Sequence, residues 1–264
     1  MPVAQQRARG GRSGLPGPRA VVDVLSGDRS VCMHLQPVAD LRTGGFWGVE
    51  ALARFPGHPR PGPDAWFVSA LRDGRGAALE ELTLRAALAL LPRLADGMRL
   101  TVNLSAEALL QPGVQALLLE TPADRVLVEL TEHERVADYP ALLGVLTALR
   151  SAGIGLAIDD FGAGHSSLQH VLNLDPEMVK LDLALVQGVG GCARRQALVE
   201  AMLTFSRRTD AVLVAEGVEE ADDLEVLTGL GVELAQGFFL ARPAAPDVVL
   251  PMLADARPPV LVLP

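Results

Sequence analysis

Glu50, Glu129, Glu132, Asp159, Asp160 and Glu216, together with Asn103, Lys180 and Gln236, all lie inside or at the end of short apolar runs spread along this 264-residue chain. Oxygen-bearing side chains with neither Cys nor His among them suit hard divalent cations, Mg²⁺, Mn²⁺ or Ca²⁺, rather than zinc. If Glu50, Glu129, Asp159, Asp160 and Glu216 share one mouth, each pair of like charges about 4 Å apart costs on the order of 4 kcal/mol at an effective dielectric of 20. Lys180 and Arg54 cannot offset that repulsion, so either several of the acids are protonated or divalent cations are bound. Adjacent strand residues point to opposite faces, so Asp159 and Asp160 serve one site only if the strand ends or bulges there. The following Phe161-Gly162-Ala163-Gly164 makes such an end plausible. One aspartate shared by two cations while its neighbour holds the second is the arrangement of two-metal sites that hydrolyse phosphodiesters.

Lys180 is the only lysine among 23 Lys and Arg residues. Flanked by Val179 and Leu181 on an alternating run, its side chain faces an interior. An ammonium on a slim stem fits among crowded carboxylates and metal-bound water, whereas a forked guanidinium would displace one of them. Taken singly, the other residues have plainer readings: Asn103 caps a helix near Ser105, Glu132 sits in a solvated loop, and Gln236 satisfies backbone groups. Their recurrence on seven consecutive strands makes chance placement improbable.

The elements that must position them are CMHLQP (32–37), WGVEALARF (47–55), RLTVNLS (99–105), RVLVELTE (125–132), GLAIDDF (155–161), MVKLD (178–182), AVLVAEG (211–217) and LAQGFFL (234–240). Between most of them lie Ala/Leu-rich stretches of helical period, such as residues 79–94 and 193–208. Eight strands alternating with helices predict an α/β fold, a (β/α)₈ barrel with its chemistry at the C-terminal ends of the strands. The first connection, ADLRTGGFW, is too short for a helical crossover and its Thr-Gly-Gly reads as a hairpin. Strand one is therefore expected to run antiparallel to strand two, making this a modified TIM-like barrel.

Residues 1–19 are rich in Gly, Pro and Arg and are read as a disordered tail, with residues 20–264 forming the barrel domain. A net charge of −9 argues against a sequence-blind nucleic-acid binder, so no direct DNA binding is expected. Cys32 and Cys192, far apart and without CxxC spacing, suit free thiols in a reducing compartment. No apolar run reaches the ~18 residues of a membrane helix and the N-terminus has no hydrophobic signal segment, so a cytoplasmic protein without a membrane span is expected.

Eight ordered motifs, QPVADLRTG with VEALARF, VNLS (102–105), ELTE (129–132), AIDDFGAGHSSL (157–168), VKLD (179–182), VAEGVE (214–219) and QGFFLARP (236–243), resemble the EAL-domain cyclic di-GMP phosphodiesterases, named for the Glu50-Ala51-Leu52 triplet. The resemblance covers roughly residues 22–250. It implies hydrolysis of cyclic di-GMP to linear pGpG, dependent on two Mg²⁺ or Mn²⁺ ions, with Ca²⁺ expected to inhibit. Carried over by motif, Glu50, Asn103, Glu129 and Asp159 would hold the first ion. Asp159 and Asp160 would hold the second, with Glu216 close by. Lys180 and Gln236 would orient the attacking water, so that Glu50, Lys180, Glu216 and Gln236 form the catalytic set. Gln36, Leu52 and Arg54 would contact substrate. Glu132 would anchor the loop Phe161 to Ser167, through which the family usually forms homodimers.

Three departures stand out. His165 replaces the family's usual tyrosine, Leu183 follows Asp182 where a basic residue is common, and the segment PDAWFVSALRDGRG (63–76) is shortened. With no second domain read in the chain, regulation is expected from a partner in trans. The rival reading is a catalytically weak barrel that senses cyclic di-GMP or docks a protein, and a barrel acting on another phosphodiester is a third.

Overall fold

The computed structural model describes residues 15–28, 30–56, 62–131, 136–162 and 167–254. Strand β1 (Cys32–Asp40) turns directly back as β2 (Gly45–Arg54). The Asp40 carboxylate accepts hydrogen bonds from the amides of Arg42 and Thr43 at 2.9 and 3.1 Å, and Gly44, at φ +70°, closes the hairpin. β1 therefore runs antiparallel to β2, as the short Thr-Gly-Gly connection predicts.

From β2 onward the chain alternates. β3 (Arg99–Asn103), β4 (Val126–Thr131), β5 (Gly155–Phe161), β6 (Met178–Leu181), β7 (Val212–Ala215) and β8 (Leu234–Ala235) pair in parallel, and β1 closes the ring antiparallel to β8. The helices are α1 (Pro18–Leu25), α2 (Pro63–Arg72), α3 (Gly76–Leu88), α4 (Ala106–Leu109), α5 (Pro112–Leu119), α6 (Tyr139–Ser151), α7 (Ser167–Leu174), α8 (Leu183–Val186), α9 (Ala193–Thr209), α10 (Ala221–Leu230) and α11 (Pro246–Ala254). Several start on side-chain caps that the sequence supplies in the loops after the strands. Ser105, Asp138 and Asp182 accept from the amides of Ala108, Ala141 and Ala184 at 3.0, 2.9 and 2.7 Å.

Period-two alternation builds the barrel interior in layers. Val38, Leu127, Ala157, Met178, Val214 and Leu234 form one buried apolar cluster. Each lies two residues from a polar position on its own strand: before Glu129, Asp159, Lys180, Glu216 and Gln236, and after Gln36 on the reversed β1. The polar residues thus make up the next layer toward the C-terminal end, floored by hydrocarbon. A second cluster lies outside the ring, where Val21 and Val24 of α1 meet Phe55, Trp66, Ala70 and Leu79.

Two expectations shift. The run 234–240 is strand only at Leu234–Ala235, because the next residues turn onto the loop after β7: Val218 N donates to Gln236 O at 3.1 Å and Phe239 N to Val218 O at 3.0 Å. The backbones approach so closely that a Cβ on Gly237 would overlap the Val218 backbone. At the other end, α1 begins at Pro18, inside the stretch read as tail, with proline at the helix start and Ser69 Oγ donating to Pro16 O at 2.6 Å. Residues 1–14 lie outside the described residues.

Candidate metal centre

Lys180 projects from β6 into the polar layer and is 1% exposed. Its ammonium lies 2.6 Å from Glu216 Oε1, 2.7 Å from Glu129 Oε2, 3.0 Å from Asp159 Oδ1 and 3.5 Å from Glu50 Oε2. Glu50 is fixed from two further sides: Asn103 Nδ2 donates to its Oε1 at 2.9 Å and Gln236 Nε2 to its Oε2 at 2.8 Å. Residues from β2, β3, β4, β5 and β6, and from just beyond β7 and β8, therefore meet at one point, as expected from their strand-end positions.

The adjacent aspartates reach the same site through a bulge. β5 advances from Ile158 to Phe161 while β6 advances only from Val179 to Leu181, so β5 carries an extra residue, and Asp160 takes the left-handed conformation at φ +56°. Ligand oxygens of Asp159, Asp160 and Glu216 then lie within 4.8 Å of one another.

Four carboxylates, of Glu50, Glu129, Asp159 and Glu216, surround one ammonium, and an ammonium has three N–H donors. Buried oxygens of Glu129 (Oε1), Asp159 (Oδ1) and Gln236 (Oε1) are left without a hydrogen bond, the Asp159 oxygen being within ion-pair distance of Lys180 but unbonded. Burial, then the charge of Glu50, raises the Glu129 carboxyl to about 8, against the pull of Lys180. Burial and Asp159 likewise hold Glu216 well above the ordinary carboxylate range. Burial alone would lower Lys180, but the four carboxylates around it outweigh that and hold its ammonium well above the usual lysine value. Excess carboxylate, unpartnered buried oxygens and a hard oxygen donor set fit divalent cations.

A cleft of about 740 Å³ opens from this point, lined by Glu50, Asn103, Asp159 and Asp160 on one side and by α2 and α3 on the other. Leu52 and Arg54 line it; the Arg54 guanidinium donates to its neighbour Ala53 O at 2.9 Å. Gln36 lies opposite Glu50 in the β1–β2 pair, is buried, and donates to Ala241 O at 3.2 Å; it is not one of the cleft-lining residues. Glu132 and His165 lie outside the described residues.

A family model for the EAL domain matches residues 21–243. The chain belongs to the EAL domain family. A similar relative is a Pseudomonas aeruginosa protein named as the bifunctional diguanylate cyclase/cyclic di-GMP phosphodiesterase MucR, 32% identical over 86% of this chain and 35% of its own length. A solved structure described as the PaMucR phosphodiesterase in complex with c-di-GMP superposes with a TM-score of 0.76 at 29% identity, covering 88% of this chain and 98% of that one. A Klebsiella pneumoniae BlrP1 complex with manganese and cy-diGMP gives 0.73 at 31% identity, covering 81% of this chain and 56% of that one. The chain spans about a third of the length of the first curated relatives it matches.

In this EAL domain the name-giving triplet lies on β2, with Glu50 in the carboxylate cluster around Lys180 and Leu52 at the cleft. The segment 63–76 forms α2 and the turn into α3, and Asp64, Phe67 and Val68 of α2 make the outer cleft wall. Trp66 behind them stacks on Phe55 at 4.6 Å between ring centroids. Sequence reasoning missed Glu80 of α3, which lines the cleft and accepts the Ser105 amide at 2.6 Å, bracing the turn two residues beyond Asn103. The only available signal was a carboxylate beside the core positions Leu79, Thr83 and Leu84 of an amphipathic helix. Among the described residues no helix is long and apolar enough to cross a membrane.

Proposed function

We propose that this EAL domain hydrolyses one phosphodiester bond of cyclic di-GMP to give linear pGpG, with two Mg²⁺ or Mn²⁺ ions bound. The observation that carries the reading is the β5 bulge, which brings ligand oxygens of Asp159 and Asp160 together with one of Glu216, while buried oxygens of the cluster accept no hydrogen bond. The names of the relatives above support the substrate. Glu50, Asn103, Glu129 and Asp159 would hold one cation, and Asp159, Asp160 and Glu216 the other. Bound cations would supply charge neutralisation at the phosphate and a water acidified toward neutrality.

The chain's own residues do the rest. Asn103 and Gln236 lock Glu50 in one orientation, so its carboxylate is preorganised before any ligand arrives. Lys180, held protonated by its neighbours, would turn an N–H donor to an attacking water oxygen when cations hold the carboxylates it otherwise faces, without serving as an acid at neutral pH. That oxygen bonds to phosphorus, the bond from phosphorus to the ribose 3′ oxygen breaks, one water proton ends on the 3′ oxygen as its hydroxyl, and the other stays on the new 5′ phosphate or passes to solvent. Arg54 on the cleft wall offers a forked donor to the second phosphate. Homodimerisation around the loop after Asp160 and inhibition by Ca²⁺ belong to the same reading.

The test is incubation of the purified protein with cyclic di-GMP and Mg²⁺ or Mn²⁺, with and without EDTA, following pGpG by chromatography. Metal-dependent conversion, abolished by Glu50→Ala, is expected. Tight nucleotide binding with no product under either metal would overturn hydrolysis in favour of a sensor; neither binding nor product would leave a protein-docking barrel.

A further inference from the structure

The proposed second cation draws its ligands from β5 and from beyond β7, which are not neighbours: β6 lies between them. The segment that follows β6, between the two ligand-bearing stretches, is the turn Asp182–Gln187, built around the single-turn helix α8.

This turn is fastened to both carboxylate-bearing loops. Asp182 N donates to Phe161 O at 3.0 Å, one residue past Asp160, and the β7 side answers with Glu216 N donating to Leu181 O at 3.1 Å. At its far end Gln187 Nε2 reaches Gly217 O at 3.5 Å. Two leucines fill the space between. On a helix, residues two apart point to nearly opposite sides, and Leu183 and Leu185 diverge accordingly. Leu185 lies over Gly162, where an added Cβ would overlap its side chain and come within 2.9 Å of its Cγ. Leu183 lies over Gly217, where an added Cβ would overlap its own Cβ. Both glycines have positive φ, +105° and +66°; Gly162 lies two residues after Asp160 and Gly217 directly after Glu216, so the close approach and the backbone turn require glycine twice over.

We infer that Leu183 and Leu185 are positioning residues: a two-sided wedge on α8 that holds the Asp159–Asp160 loop and the Glu216 loop at the separation the second cation requires. This rests on the metal reading given under Proposed function. The leucines carry no ligand atom, so their effect acts through the loops they separate, in the way that residues orienting metal ligands tune affinity.

Mn²⁺ binding to the full chain, without nucleotide, tests this through the electron paramagnetic resonance signal of free Mn²⁺. The wild type is expected to bind two ions. Leu185→Ala and Leu183→Ala should keep the first and weaken the second by about 10- to 100-fold, while Leu185→Met, close in volume, should restore most of the loss. Leu142→Ala, a fully buried position on α6, serves as the control: it should lower thermal stability and leave both ion affinities unchanged. Wild-type affinity for the second ion in both alanine variants overturns the wedge, as does equal weakening by Leu142→Ala. Failure of the wild type to bind any Mn²⁺ overturns the metal reading itself, and the wedge with it, so the wild-type isotherm tells the two failures apart.

Discussion

Lys180 sits where an uncharged residue would leave Glu50, Glu129, Asp159 and Glu216 facing one another with no protein cation among them. Removing one partner from a buried charged network costs about 3–5 kcal/mol, so Lys180→Met should destabilise the metal-free protein by that order in urea unfolding. Lys180→Arg keeps the charge but must push a carboxylate aside. A displacement near 1 Å at a reacting centre costs about 100-fold, and pGpG formation should drop by that order while the circular dichroism of the barrel stays unchanged. Unaltered turnover in that variant would falsify the steric account of the lone lysine. The inward orientation of this residue was legible from Val179 and Leu181 alone, because period-two alternation is a local property. Its four carboxylate partners were legible only as strand-end residues, since their meeting depends on closure of the ring.

At the level of elements, α2 is the piece of the cleft least legible in the chain. Its apolar residues point two ways, Trp66 and Ala70 into the cluster with α1 and Phe67 and Val68 onto the cleft, so no single face dominates. Truncating a buried aromatic costs about 3–5 kcal/mol. Trp66→Ala should therefore lower the melting temperature and, by loosening this wall, raise KM for cyclic di-GMP more than it lowers kcat. An effect on kcat alone would detach α2 from substrate binding. β5 spans Gly155–Phe161, the same residues as its apolar run, because glycine bounds it on both sides. β8 is shorter than its apolar run because contact with Val218, far away in sequence, pulls Gln236 onward out of the sheet. The wedge leucines of α8 gave no sign in the sequence beyond a departure at Leu183, because their partners are two glycines from other loops.

For the whole molecule, the buried carboxylate cluster ties folding to pH. Glu129 loses its proton near 4.5 when unfolded and near 8 when folded, and Glu216 is shifted the same way. Between those values the folded state binds more protons, so stability falls as pH rises across that window. Lys180 is shifted upward and stays charged throughout, contributing no slope there. The melting temperature of EDTA-treated protein should thus decline from pH 5 to pH 8, and saturating Mg²⁺ should flatten the profile by favouring the ionised carboxylates. A flat profile without metal would show that the carboxylates ionise at ordinary values. Lys180 also bears on the order of events in the life of the chain. A barrel that carries an internal cation can close around it first, so on the proposed metal reading loading would take place on a finished scaffold. Stripping with chelator should then leave a cooperative melt, and return of Mg²⁺ should restore the proposed hydrolysis within the mixing time, with no refolding phase.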